Sequence, residues 1–187
     1  MHDRQQATPA IRRQQAALQH ATATKRITAL FTRGHYNAVQ LDDALSSRMF
    51  DTYLKNLDYY RNVLIKADVD GFEPYRDKFD DAINKGNLSF AFDMFNLTLK
   101  RRAERFDYAL ALLEQDFDFS RDDQYLYDRE NAAWPATTAE LNEIWRQRVK
   151  FDALNLKLAG KKDDEIKTIL TKRYRNTQKR LTQTESE

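Results

Sequence analysis

The segment FDMFNLTLKRRAERFDYALALL, residues 92–113, decides the fold class of this chain. Its large apolar side chains recur at steps of three and four residues, the spacing of one face of an α-helix. These positions are Phe92, Phe95, Leu99, Ala103, Phe106, Leu110 and Leu113. The opposite face is charged and holds Lys100, Arg101, Glu104 and Asp107. The pattern predicts a helix over about 88–115 that packs in a core, because such stripes are core faces far more often than cofactor sites.

Other segments repeat this pattern, and few residues in the chain favour tight turns. The 187 residues include only four glycines and three prolines, which argues against a β-protein. We therefore expect an all-α fold, an irregular multi-helix domain. The remaining predicted helices run from Lys25 to Gly34, from an Asp42 cap to near Asp58, from Asp68 or Asp70 to Lys85, from a Thr137–Glu140 capping box to Leu158, and from an Asp163 cap onward.

Two segments break the helical period. YYRNVLI, residues 59–65, is rich in aromatic and β-branched residues, but no partner strand follows it. We expect a buried extended link between two helices. Residues 116–137, DFDFSRDDQYLYDRENAAWPAT, form an acidic, aromatic loop longer than is usual in a compact domain. Its aromatic side chains predict that the loop packs against the domain.

Composition excludes several classes of function. The absence of cysteine excludes disulfide frameworks, thiol nucleophiles and zinc ribbons. A formal charge of +2 argues against binding driven by phosphate neutralisation, and the basic run at 172–180 is typical of a solvated helix face. No apolar run reaches the roughly 18 residues that a membrane span needs. We expect 1–24 to be a polar N-terminal segment without the apolar core of a signal peptide.

The stretch ADVDGFE, residues 67–73, resembles half of a calcium loop. With Gly71 at the sixth position of an EF-hand loop, Lys66 takes the first ligand position, and an ammonium group does not bind a cation. Asp68 or Asp70 instead suits a helix start, where a carboxylate accepts hydrogen bonds from free amides and opposes the helix dipole. We therefore expect no metal and no cofactor here.

Catalytic motifs are missing as well. The histidines, His2, His20 and His35, have no paired-ligand spacing. No serine lies in a G-x-S-x-G elbow, and no glycine-rich phosphate loop is present. The residues alone describe a helical domain without a catalytic site.

Four segments in the same order resemble one known family. They are HYNAVQLDDALSSRMFDTYLKNLDYYRNVLIKADVDGF (35–72), YLYDRENAAWP (125–135), IWRQRVKFDALNLKLAGK (144–161) and ILTKRYRNTQKRLTQTESE (169–187). Together they are similar to the N-terminal helical region of bacterial tail-specific, or carboxy-terminal processing, proteases of peptidase family S41. The resemblance covers about 25–187, and Gly34 and Pro74 are local departures from it.

The resemblance implies a function that lies largely outside this chain. Proteins of this family are periplasmic serine endopeptidases that recognise apolar C-terminal tails through a PDZ domain and cleave with a Ser/Lys dyad. Both parts follow the region matched here, so the resemblance implies a domain, 25–187, that ends before the PDZ and protease domains and carries no catalytic residue. It also implies contacts with those domains, with protein substrates and with a helical-repeat lipoprotein adaptor.

Five residues are expected to act structurally. We expect Asp58 and Asn62 to fix the link by side-chain-to-backbone hydrogen bonds, Asp68 or Asp70 to cap a helix, and Trp145 to anchor the core. Two alternatives remain open. One is a free-standing helical module whose 116–137 loop captures a partner protein, for which a stop codon after position 187 would be the sign. The other is nucleic-acid binding through 172–180, with an affinity that falls steeply with salt.

Overall fold

The computed structural model describes residues 41–184, with side chains through Leu181. Within this range the helices are α1 (Asp43–Leu57), α2 (Lys66–Phe72), α3 (Phe79–Lys85), α4 (Ser89–Leu112), α5 (Thr138–Leu158) and α6 (Asp163–Thr184), with a 3-10 turn at Glu73–Tyr75. These residues include no strand. The predicted all-α fold is therefore confirmed. The predictions for 1–24 and for a helix from Lys25 to Gly34 lie outside the described residues.

The described residues divide into two compact units. The first comprises 41–53 and 73–93, and the second comprises 54–72 and 94–184. Both α1 and α4 supply residues to each unit. Each unit therefore has its own set of packed side chains.

The first unit is centred on Phe79, at the start of α3. Its ring lies edge-on to Phe90 at 4.9 Å and to Phe50 at 6.5 Å between centroids. The buried hydroxyl of Ser46 accepts a 2.7 Å hydrogen bond from the amide of Phe79 and donates to the carbonyl oxygen of Arg76 at 3.1 Å. Ser46 thus pairs the first amide of α3, which the helix itself leaves free, and a carbonyl group of the turn before it.

The second unit has a core built from α4, α5 and α6. Its buried members are Phe106, Ala109, Leu113, Leu141, Trp145, Val149, Ala153, Ile166, Leu170 and Tyr174. Helix α5 supplies four of them, Leu141, Trp145, Val149 and Ala153, which recur at helical spacing and so form one buried face. Phe117 and Phe119 of the long loop pack against the same core. The prediction that this loop packs against the domain is confirmed for that part of it.

Local capping signals mark two helix starts correctly. Asp42 accepts a 2.8 Å hydrogen bond from the amide of Leu45, so α1 begins where its cap predicts. The Thr137 hydroxyl accepts from the amide of Glu140 at 3.1 Å, and the Glu140 carboxylate accepts from the amide of Ala136 at 2.8 Å. Helix α5 consequently spans the residues that the capping box predicts.

The helix predicted from Asp68 or Asp70 to Lys85 is wrong as one element. It starts earlier, at Lys66, stops at Phe72, and resumes only at Phe79. Pro74 lies in the 3-10 turn between the pieces, since its ring and missing amide hydrogen do not fit a helix interior. Gly86 ends α3 in the left-handed conformation with φ 70°, which is the stop that was expected.

Two further details differ from the sequence predictions. Asp163 is the first residue of α6 rather than its cap, and the Glu165 carboxylate accepts from the amide of Lys162 at 3.0 Å. In α4, Phe92 is 44% exposed whereas Met94 and Thr98 are buried. One straight stripe does not describe the buried face of α4, because this helix contributes to two units.

Candidate interaction site

The link between α1 and α2 is folded around the carboxylate of Asp58. This carboxylate is 3% exposed and accepts backbone hydrogen bonds from Asn62 at 3.0 Å, Val63 at 2.9 Å and Leu64 at 2.9 Å. Burial raises the pKa of Asp58, while the three amide donors act in the opposite direction. Arg61 occupies the left-handed region with φ 48°. The predicted buried extended link is therefore wrong for its first half, which is a tight turn around a carboxylate with Tyr59 and Tyr60 exposed, whereas Val63 and Leu64 are buried.

Trp145 joins this link to the core of the second unit. Its indole Nε1 donates a 2.6 Å hydrogen bond to the carbonyl oxygen of Asn62. The indole is 2% exposed and meets the ring of Phe106 edge-on at 5.5 Å. Asn62 takes part through its main chain, with its N–H directed to Asp58 and its carbonyl oxygen to Trp145. Within residues 41–184, the hydrogen bonds of Asn62 run through its main chain and not through its side-chain amide.

Asp68 and Asp70 have different hydrogen-bond and ion-pair partners. The Asp68 carboxylate accepts from the amide of Ile65, the residue before α2, at 3.2 Å. It also accepts two hydrogen bonds from Arg101, from Nε at 3.1 Å and from Nη2 at 2.8 Å. This pairing raises the pKa of Arg101. Asp70 is exposed and pairs with Lys66 one helical turn away. We propose Asp68 as the residue that stabilises the start of α2, because Asp70 has no contact with a free amide among the described residues.

The acidic part of the long loop is tied to α5 by Asp123. Its carboxylate accepts from Arg146 at 2.7 Å and from Lys150 at 2.6 Å. The hydrogen bonds from Arg146 and then from Lys150 hold the pKa of Asp123 well below its usual range. Lys150 also donates to the carbonyl oxygen of Arg121 at 2.9 Å. Two cations of one helix thus fix the middle of a loop that has no regular structure of its own.

A cavity of about 300 Å³ opens on the surface of the second unit. It is lined by Tyr60, Asn62, Phe106, Tyr125, Tyr127, Arg148, Phe151, Asp152, Arg173, Tyr174 and Thr177. Inside it, the Tyr174 hydroxyl donates a 2.6 Å hydrogen bond to Asp152. Burial and the neighbouring Asp152 raise the pKa of Tyr174, so this hydroxyl remains protonated. The walls are aromatic, and the charged groups are two guanidiniums and one carboxylate.

A row of five aromatic rings includes four that line this cavity. Tyr59 and Tyr60 lie 5.0 Å apart, Tyr60 and Tyr127 6.2 Å, Tyr127 and Tyr125 6.4 Å, and Tyr125 and Phe151 5.3 Å between centroids. We call these five residues the aromatic row. At its outer end, the Tyr59 hydroxyl donates to Glu130 at 2.6 Å, and Glu130 also pairs with Lys55. The row is therefore held in place although most of its members are exposed.

The family of the chain follows from a match over most of its length. Residues 27–187 match the family model of the tail-specific protease N-terminal domain. This chain belongs to that family. A tail-specific protease of Haemophilus influenzae is 47% identical to it over 166 residues, which are 88% of this chain and 24% of the relative. The chain thus spans about a quarter of the length of that curated relative, and the resemblance identified from the sequence is confirmed.

Three serine hydroxyls in the described range, those of Ser46, Ser47 and Ser120, have hydrogen-bond partners. That of Ser46 bonds to the backbone at Arg76 and Phe79. That of Ser47 accepts from the Arg76 guanidinium at 3.2 Å, and that of Ser120 donates to Asp118 at 2.6 Å. These partners are backbone groups, a guanidinium and a carboxylate, whereas a serine nucleophile is activated by an adjacent general base. Across the described range, no three histidine or carboxylate side chains converge to hold a metal ion.

Sequence reasoning missed the cavity of the second unit. Its lining comes from five separate segments, near 60, 106, 125, 150 and 175. The pairs Tyr59–Tyr60 and Tyr125–Tyr127 were the available signal, because exposed tyrosines close in sequence are typical of contact surfaces.

No helix in the described part of the chain has the length and apolar composition to cross a bilayer.

Proposed function

We propose that this chain is a non-catalytic scaffold and interaction domain of a periplasmic serine endopeptidase, which degrades or processes proteins from their apolar C-terminal tails. The observation that carries this proposal is the family match over 27–187. It is joined by the tail-specific protease that is 47% identical over 88% of this chain, a region that is 24% of that relative. In this proposal, catalysis belongs to other domains of the parent protein.

The described structure supports a scaffold role. The link at Asp58 is fixed by three backbone hydrogen bonds and by Trp145, and the long loop is fixed by ion pairs to α5. A domain without a catalytic set gains from such rigidity, since preorganised surfaces lose less entropy when they bind. The aromatic row and its cavity supply an exposed surface for an interaction with a protein.

The reading frame that follows codon 187 in the gene tests this proposal. We expect it to continue into a PDZ-like segment and a protease core that carries a serine and a lysine. A stop codon directly after position 187 would contradict the proposal and support the free-standing helical binding module. Cell fractionation with an antibody to this domain tests the compartment, since a periplasmic parent protein is released by osmotic shock and a cytoplasmic one is not.

A further inference from the structure

The aromatic row combines exposure with a fixed arrangement. Tyr127 is 66% exposed, and Tyr59, Tyr60 and Phe151 are about 40% exposed, at 42%, 40% and 38%. Each ring nevertheless contacts the next, as the centroid distances of 5.0 to 6.4 Å indicate. Exposed aromatic rings held in one place offer a large contact area with little loss of side-chain entropy on binding. The row therefore has the physical properties of a docking surface for another molecule.

The charges of the cavity select the kind of molecule. Arg148 and Arg173 both line it, and within residues 41–184 neither guanidinium has an ion pair or a side-chain hydrogen bond. Arg148 packs over the ring of Trp145, with its guanidinium carbon 4.6 Å from the ring centroid. Asp152, the carboxylate among the lining residues, already accepts from Tyr174. The cavity therefore has two guanidiniums and one carboxylate that already has a hydrogen-bond donor, so it attracts an anion. Among anions, a ligand carboxylate suits the forked hydrogen-bonding geometry of arginine.

The size of the cavity selects the size of the group that enters it. Pockets for small-molecule ligands have volumes of about 300–1,000 Å³, and this one lies at the lower limit with about 300 Å³. That volume suits one large side chain better than a cofactor. Tyrosine and arginine are also the residue types that contribute most to affinity in protein interfaces.

We propose that the aromatic row and its cavity bind a peptide segment of a partner protein in which an aromatic residue is flanked by Asp or Glu. The aromatic side chain fills the cavity, and the flanking carboxylates pair with Arg148 and Arg173. The remainder of the segment crosses the exposed rings of Tyr60 and Tyr127. This inference rests on the proposed function as an interaction domain, and it specifies the chemistry of the segment that the domain binds.

Binding to defined peptides tests the inference. The probe is the blocked peptide acetyl-Gly-Glu-Phe-Glu-Gly-amide, titrated into the ¹⁵N-labelled chain and followed by amide chemical shifts. Three comparison peptides replace both Glu by Gln, replace Phe by Ala, or carry Gln in place of Glu and end in a free carboxylate after Phe. The oligonucleotide (dT)₁₀ is titrated in parallel, because exposed aromatic rings with arginines also stack on single-stranded nucleic acid.

Matched variants locate the site. Arg173→Gln removes a cavity guanidinium, and Arg175→Gln makes the same change of charge at an exposed position of α6 outside the cavity. Phe151→Ala removes a ring of the row, and Leu158→Ala removes an exposed apolar side chain of α5 away from it. Circular dichroism checks that each variant keeps the helical content of the parent.

We expect Arg173→Gln to weaken binding of the probe about tenfold, as the loss of one charge-assisted pair does. Phe151→Ala weakens it as well, and the two control variants bind like the parent. Four results would each overturn the inference. The first is equal binding of the Glu and Gln peptides, and the second is tighter binding of the free-carboxylate peptide than of the probe. The third is tighter binding of (dT)₁₀ than of the probe, and the fourth is an equal effect of Arg173→Gln and Arg175→Gln on binding. Such a failure would leave the reading-frame test of the proposed function unaffected.

Discussion

The indole Nε1 of Trp145 donates a 2.6 Å hydrogen bond to the carbonyl oxygen of Asn62, 83 residues earlier in the chain. The indole is 2% exposed, and Asn62 is 9% exposed. A buried carbonyl oxygen needs a donor, because leaving it unpaired costs about 1–3 kcal/mol. This bond therefore holds the link between α1 and α2 to the core of the second unit.

Replacing Trp145 by Phe tests that bond. The variant keeps an aromatic ring but leaves the Asn62 carbonyl oxygen without its donor and creates a small void. We expect the free energy of unfolding to fall by about 2–3 kcal/mol in urea denaturation. Trp134→Phe is the matched control, since Trp134 is only half-buried. Equal losses in the two variants would show that the hydrogen bond to Asn62 has no special weight.

Among the carboxylates near the link, we expect replacement of Asp58 to lower the free energy of unfolding most. Asp58→Ala leaves the amides of Asn62, Val63 and Leu64 without their acceptor, so we expect a loss of about 3 kcal/mol or more. Asp70→Ala removes only an exposed pair with Lys66 and should change stability by about 0.5 kcal/mol or less. Urea unfolding of both variants measures the difference. A Asp58→Ala variant as stable as Asp70→Ala would contradict the role proposed for Asp58.

The Asp123 ion pairs predict an acid-dependent part of stability. The folded-state pKa of Asp123 is lowered by Arg146 and Lys150, so its contribution is present above the unfolded-state pKa of about 3.9 and is lost as pH falls toward the folded value. We expect Asp123→Asn to lower the Tm clearly at pH 7 and to differ less from the parent as pH falls below about 4. Asp122→Asn makes the same change of charge at an exposed neighbour. A Tm difference for Asp123→Asn that is constant from pH 7 to pH 2 would contradict this.

Calcium is expected to have no effect on ADVDGFE. The Asp68 carboxylate is held by Arg101 and by the amide of Ile65, and Asp70 is paired with Lys66. A cation would have to displace these partners. We therefore expect the Tm to be the same in calcium and in EDTA, with magnesium as the control for general ionic effects. A rise in Tm that is specific to calcium and absent in the Asp68→Asn variant would contradict this expectation and indicate a calcium site at ADVDGFE.

Local signals in the sequence predicted much of the fold. The Thr137–Glu140 box and the apolar spacing from Leu141 to Ala153 act within one helix, so one segment contains all the information needed. The start of α2 was placed too late for a physical reason. Ile65, the residue before the helix, is a poor cap, and the acceptor is Asp68 reaching back from inside the helix.

Features that join distant segments could not be predicted in this way. Arg105 lies in a charged segment of α4, yet it is 7% exposed and donates to Asn142, a residue of another helix. Likewise, the cavity brings Tyr60 to Arg173 only after the helices have packed. A pattern read along the chain does not contain these distances, because they depend on tertiary contacts.

A peptidase assay of the purified 187-residue chain tests the central claim most directly. The chain is incubated with a substrate protein that ends in an apolar tail, and the substrate mass is followed by mass spectrometry. We expect strongly helical circular dichroism and an intact substrate. Cleavage that is abolished when a serine of this chain is replaced by Ala would contradict a non-catalytic domain; the serines to be replaced are Ser46, Ser47, Ser89, Ser120 and Ser186.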